Sequence, residues 1–111
     1  MDIQIRKEET ATVLTLAGRL DAVTAPEYEK TVRGLIDGGD CRFVVDFARL
    51  DYISSAGLRA LLITAKLLKG KGGQVGFASI GGAVKEVFDI SGFGSLFSMD
   101  DSVAAALARL S

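Results

Sequence analysis

The stretch Asp46-Phe-Ala-Arg-Leu-Asp-Tyr-Ile-Ser-Ser-Ala-Gly-Leu-Arg-Ala-Leu-Leu62 decides the fold. It opens at the end of Arg42-Phe-Val-Val-Asp-Phe47, a nearly continuous apolar run of strand length, the pattern of a central strand covered on both faces. A short turn leads to two adjacent serines, and from Ser54 or Ser55 the spacing predicts a helix to about Lys69. Leu58, Leu61, Leu62, Ala65 and Leu68 form its core stripe, Gly70 stops it, and Lys66, Lys69 and Lys71 suit its negative end. A serine at a helix start has two readings. Its oxygen can accept a hydrogen bond from an unpaired N–H of the first turn and act as a cap. The same hydroxyl can instead take a phosphoryl group, adding about −1.5 to −2 charge where the helix dipole tolerates an anion.

Working outward toward the N-terminus, residues 3–6 and 12–17 read as strands joined by the charged turn Lys7-Glu-Glu9. Gly18-Arg-Leu-Asp21 reads as a turn. Thr24-Ala-Pro-Glu27 has the form of a capping box, and the helix it starts carries Tyr28, Val32, Leu35 and Ile36 at helical spacing before Gly38-Gly39 ends it. Toward the C-terminus, Gln74-Val-Gly-Phe-Ala78 is a short strand. A short helix follows Gly81-Gly82, carries Val84, Val87 and Phe88, and closes at Gly92. A brief extended segment is expected around Phe97, and a last helix, capped by Asp100 or Asp101, presents Val103, Ala104, Leu107 and Leu110. Two strands followed by alternating helix and strand give an α/β fold. We expect a mixed sheet of four to five strands, right-handed crossovers and about four helices packed against it, in a single domain over residues 1–111.

At 111 residues, with 49% apolar side chains, the chain can bury a core without disulfides or metal. The absence of histidine removes the commonest general base and metal ligand, which excludes a Ser-His triad and a Cys/His zinc site. No cofactor is expected. The lone Cys41 cannot form an internal disulfide, and its place before an apolar run predicts a buried or half-buried structural thiol. A formal charge of −1 without basic runs argues against nucleic acid and toward a protein partner. Without a signal segment or a run of roughly 18 apolar residues, no membrane insertion is expected and the cytoplasm is the default compartment.

Other candidate sites are weaker. Asp21, Asp46 and Asp51 each read as solvated or capping acids, since their spacing does not assemble a metal site. Lys69-Gly-Lys-Gly-Gly73 lacks the Gly-Lys-Ser/Thr order and the following helix of a phosphate loop, so it reads as a turn. Ile63 and Leu67 lie one turn apart beside the core stripe, near Arg59 and Lys66. They are either peripheral core or the anchor of a protein interface.

Taken together, Gly18-Arg-Leu-Asp-Ala-Val-Thr-Ala25, the Asp46–Leu62 stretch, Gly72-Gly-Gln-Val-Gly-Phe-Ala78 and Ala83-Val-Lys-Glu-Val-Phe-Asp-Ile-Ser-Gly92 resemble the STAS family. Its best-known small members are bacterial anti-sigma-factor antagonists. The resemblance implies the STAS-like fold and a role in partner switching. The unphosphorylated form would bind an anti-sigma factor that is also a serine kinase of the histidine-kinase-like ATPase type, releasing that regulator's other partner. Phosphorylation would abolish the complex, and a serine phosphatase would restore it. Aligning Gly57-Leu58 on the family's Asp-Ser-Ser-Gly-Leu puts the acceptor at Ser55, with Ser54 in place of the Asp and Ala56 in place of the second serine. The resemblance also places Asp21 near the partner or its nucleotide. Partner contact is expected from Asp21, Ser54, Ser55, Ala56, Gly57, Arg59, Ile63 and Leu67, with Ser54 left as the cap. The alternative is a non-switching STAS binding module, a transporter-regulatory subunit or a nucleotide or small-ligand sensor, in which Ser55 is only a cap. A freestanding hydrolase or transferase fits poorly with a chain lacking histidine and a nucleotide loop.

Overall fold

The computed structural model describes residues 1–95 and 97–110. The elements run in the order β1 (Asp2–Lys7), β2 (Thr12–Leu20), α1 (Ala25–Asp37), β3 (Arg42–Ile53), α2 (Ser55–Gly70), β4 (Gln74–Ala78), α3 (Gly82–Ser91), a 3₁₀ turn (Phe93–Ser95), β5 (Ser98–Asp100) and α4 (Val103–Leu110). The five strands form one mixed sheet in sequence order. β1 pairs antiparallel with β2, and β2, β3, β4 and β5 are mutually parallel.

Alternation along each strand distributes the core between the two faces. Leu14, Leu16, Phe43, Val45, Phe47 and Phe77 face α1, α2 and α3, whereas Val13, Val44 and Ala78 face Ala106 and Leu110 of α4. Phe43, Val44 and Val45 are therefore all buried, as expected of a central strand. Phe47, Phe77 and Phe88 meet edge to face with ring centroids 5.4–6.2 Å apart, fastening α3 to the sheet. Arg109 grips Asp100 through Nε and Nη2, the shortest contact being 2.7 Å, and ties α4 to β5.

Several local expectations are corrected. β2 continues to Leu20 and β3 to Ile53, so Gly18-Arg19-Leu20 belongs to a strand instead of a turn. The pairing slips between Thr15 and Ala17 and again between Gly18 and Arg19, with Gly18 at φ +100°, a conformation open to glycine. Past the slips burial falls on Phe47, Leu50 and Ile53, a spacing of three that hides the strand from a period-two reading. Thr24 does not cap α1 with its side chain. α4 is capped by Ser102, whose Oγ accepts from the Ala105 N–H at 3.1 Å, because Asp100 is committed to Arg109. On α4 Ala106 is buried and Ala104 exposed. The Cys41 thiol is exposed, contrary to the buried or half-buried position expected, while its carbonyl accepts from Gln74 N–H at 2.8 Å.

One buried polar contact links α1 to α2. The hydroxyls of Tyr28 and Thr64 lie 3.3 Å apart in the core, and Thr64 also bonds the Ala60 and Leu61 carbonyls. Burial pushes the Tyr28 phenol up to about 12 from 10.0, outweighing the Thr64 hydrogen bond that favours the phenolate. A raised folded pKa contributes stability that is present below the unfolded value and lost as pH rises. Stability should therefore fall by roughly 2–3 kcal/mol between pH 10 and 12. Urea unfolding across that range should show the decline in the wild type and a shallower one in Tyr28→Phe; equal slopes would contradict this burial of the phenol.

Candidate functional site

The carboxyl ends of β2 and β3 lie side by side, with Leu20 in register with Ile53. Both strands therefore deliver their following loops to the same end of the sheet, the place where parallel sheets usually carry their sites. One bond joins the loops directly, from Ser54 N–H to the Leu20 carbonyl at 3.0 Å.

Ser54 is extended at φ −101°, ψ 176°, and its Oγ accepts from the Gly57 N–H at 3.2 Å while its carbonyl accepts from Leu58 N–H at 2.9 Å. It is the N-cap of α2. Ser55, the first helical residue, is exposed, and its hydroxyl makes no hydrogen bond among the described residues. Gly57 is buried below them. A Cβ there would stand 2.5 Å from the Leu20 carbonyl oxygen and 2.8 Å from Ile53 Cγ1, so only glycine lets the first turn of α2 seat on the strand ends.

Asp21 is organised by its own loop. Its Oδ1 accepts from the N–H groups of Val23 at 3.0 Å and Thr24 at 3.2 Å. Thr24 Oγ1 accepts from Asp21 N–H at 2.9 Å and donates to the Arg19 carbonyl at 2.8 Å. This reciprocal bonding replaces the expected capping box. The Thr24 N–H foremost, then Val23 N–H, the Thr24 hydroxyl and Arg19, hold the Asp21 carboxyl below the usual carboxylate range against a smaller opposing effect of burial. Its contribution to stability is present above the unfolded pKa and lost as pH falls through the folded one.

Arg19 Nε lies 3.7 Å from Asp21 Oδ2, and its guanidinium stacks 4.2 Å from the centre of the Tyr52 ring. Val23 projects from the same loop at 85% exposure. Sequence reasoning did not single out Arg19, Tyr52 or Val23. Arg19 and Tyr52 become register partners only through the strand slips, and no local motif announces those.

The structure thus brings Asp21, Ser54, Ser55, Ala56 and Gly57 to one end of the sheet. Arg59 is exposed one turn further along α2, and Ile63 and Leu67 are half-buried beyond it, about 12 and 18 Å from Ser55 along the helix axis. Leu67 packs partly against the core. Asp46 lies apart from this site. Its Oδ1 accepts from Ala48 N–H at 3.0 Å and its Oδ2 from the Thr15 hydroxyl at 3.4 Å. Among the described residues no cluster of His, Cys, Asp and Glu could hold a metal, and no helix is long and apolar enough to cross a membrane.

The two serines should separate in stability. Ser54→Ala removes the cap and should cost about 1 kcal/mol, whereas Ser55→Ala should stay within about 0.5 kcal/mol of wild type. Chemical denaturation of the two variants tests this, and equal losses would refute the assigned roles.

Comparison with known proteins adds to this geometry. The model of the STAS domain matches residues 2–106. The chain is 38% identical over 108 residues to BtrV of Bordetella bronchiseptica, which bears the name of an anti-sigma factor antagonist, covering 97% of this chain and 93% of the relative. An anti-sigma factor antagonist from Mycobacterium paratuberculosis superposes with a TM-score of 0.89 at 23% identity, covering 98% of this chain and 92% of that one. The Bacillus cell fate determinant SpoIIAA, in its phosphorylated form, superposes with a TM-score of 0.76 at 21% identity over 99% of this chain and all of the other.

Proposed function

The chain belongs to the STAS domain family, and from that premise we propose that it is an anti-sigma-factor antagonist whose binding to a partner is switched at Ser55. STAS proteins of this kind are regulatory binding modules and not enzymes. The partner in this reading is an anti-sigma factor that is also a serine kinase of the histidine-kinase-like ATPase type. It would transfer the γ-phosphoryl group of ATP to Ser55 Oγ, releasing ADP and passing the hydroxyl proton to a base of its own. A serine phosphatase would return the hydroxyl by hydrolysis, releasing inorganic phosphate.

The observation that carries this reading is the division of labour at the start of α2. Ser54 Oγ is spent on the cap, and the Ser55 hydroxyl is exposed and unengaged among the described residues. A group added to Ser55 therefore changes the surface without removing the bond that starts the helix. The anion sits where the helix dipole favours it, so the fold tolerates the modification. A dianion carried into a desolvated contact costs several kcal/mol unless cations answer it, enough to lower affinity by orders of magnitude. Asp21 belongs to the same contact surface in this reading, held by its own loop directly after Leu20, whose carbonyl accepts the Ser54 N–H. The chain's lack of histidine fits a phosphoryl group supplied in trans.

Affinity capture from source cells tests the proposal. Wild type and Ser55→Ala should retain a histidine-kinase-like ATPase, whereas Ser55→Asp should lose it, with affinity for the purified partner weakened at least about tenfold. Capture of the same ATPase by Ser55→Asp at undiminished affinity would refute the switch. Capture of a membrane transporter instead would favour the non-switching module.

A further inference from the structure

Helix α2 contains no acidic residue, and its outward stripe carries cations that join no ion pair among the described residues. At about 100° per residue, Ser55, Arg59 and Lys66 fall within a sector of roughly 40°. All three are exposed. Ser55 and Arg59 stand one turn apart, in the i,i+4 relation that sets Cβ atoms about 5–6 Å from each other. Helical side chains lean toward the N-terminus, so the Arg59 stem is directed over the turn that begins at Ser55. Arg19, near the end of β2, is occupied by the Tyr52 ring and the Asp21 carboxylate. Among the described residues Arg59 has neither kind of partner.

We propose that Arg59 is the receptor in cis for a phosphate on Ser55, so that phosphorylation both adds a dianion and withdraws the first cation of the α2 stripe from any partner. The inference rests on the proposed modification of Ser55 and adds a positioning residue to it. With Ser55 unmodified, Arg59 is free to meet an acidic group on the partner. Once the phosphate is present, the guanidinium can give it parallel, charge-assisted hydrogen bonds at a geometry the helix already supplies. The two effects act together, because the complex loses a cation at the same position where it gains a dianion.

The test needs neither the kinase nor the partner. Phosphoserine is installed at position 55 by genetic encoding, and its second ionisation, ordinarily near pH 6, is followed by 31P NMR. In the otherwise wild-type protein that ionisation should lie about 0.3 pH unit below its value in Arg59→Gln. Arg59→Lys should recover part of the difference, Lys66→Gln should leave it intact, and roughly 1 M salt should largely erase it. A titration unchanged by Arg59→Gln would overturn the inference. Because the phosphate is introduced synthetically, that failure is separable from failure of Ser55 as the biological acceptor, which the partner-capture experiment reads.

Discussion

Everything at the functional end of this molecule depends on the missing side chain of Gly57. The Leu20 carbonyl oxygen occupies the space beside it, 2.5 Å from where a Cβ would stand, and that same oxygen accepts the Ser54 N–H. One atom therefore sets the height of α2 over the strand ends and fixes the residue that caps it. A larger residue at position 57 would meet backbone, which cannot swing aside as a flexible side chain could, and the first turn would have to lift. Lifting it would separate the Ser54–Ser55 step from the Asp21 loop.

That seating gives neighbouring hydroxyls different work. Ser54 is extended and faces the exposed N–H groups of the first turn, so its oxygen is held by the helix it starts. Ser55 is already helical and turned outward, leaving its oxygen to whatever approaches. Around them the charges are arranged by separate devices. Backbone N–H groups fix the Asp21 carboxylate, the Tyr52 ring and Asp21 fix Arg19, and Arg59 has no ion pair or ring partner among the described residues. A surface that sets the Ser55 hydroxyl and the Arg59 guanidinium beside a preorganised acid can change its electrostatic character by a single modification while the core beneath stays packed. This is the physical economy of the proposed switch, since the energy needed is local and the fold is not asked to rearrange.

Much of this architecture could be read from the chain. The apolar run Arg42–Phe47 announced the central strand, and the stripe through Leu58, Leu61 and Leu68 announced α2, because burial imposes a period that survives in the residue types. What escaped was governed by pairing or by competition between side chains. The ends of β2 and β3 lose their alternation where the register slips, so Arg19 and Tyr52 could not be placed together in advance. Thr24 looked like a cap, but the Arg19 carbonyl and the Asp21 N–H claim its hydroxyl. Asp100 also looked like a cap, and Arg109 claims it from two turns along α4. Thr64 has the spacing of a core residue and the chemistry of a surface one, and its burial is explained by the Ala60 and Leu61 carbonyls of its own helix together with the Tyr28 hydroxyl across the helix interface. The serine pair was legible as a helix start, while the division of roles between its members depends on which backbone is extended and which is helical.

The most direct measurement is the position of the phosphate itself. Incubation of the protein with ATP and extract of its own cells, followed by fragmentation mass spectrometry of the peptide spanning Asp46 to Arg59, should find a single phosphate on Ser55 and an unmodified Ser54. A phosphate on Ser54, or none on either residue, would contradict the account.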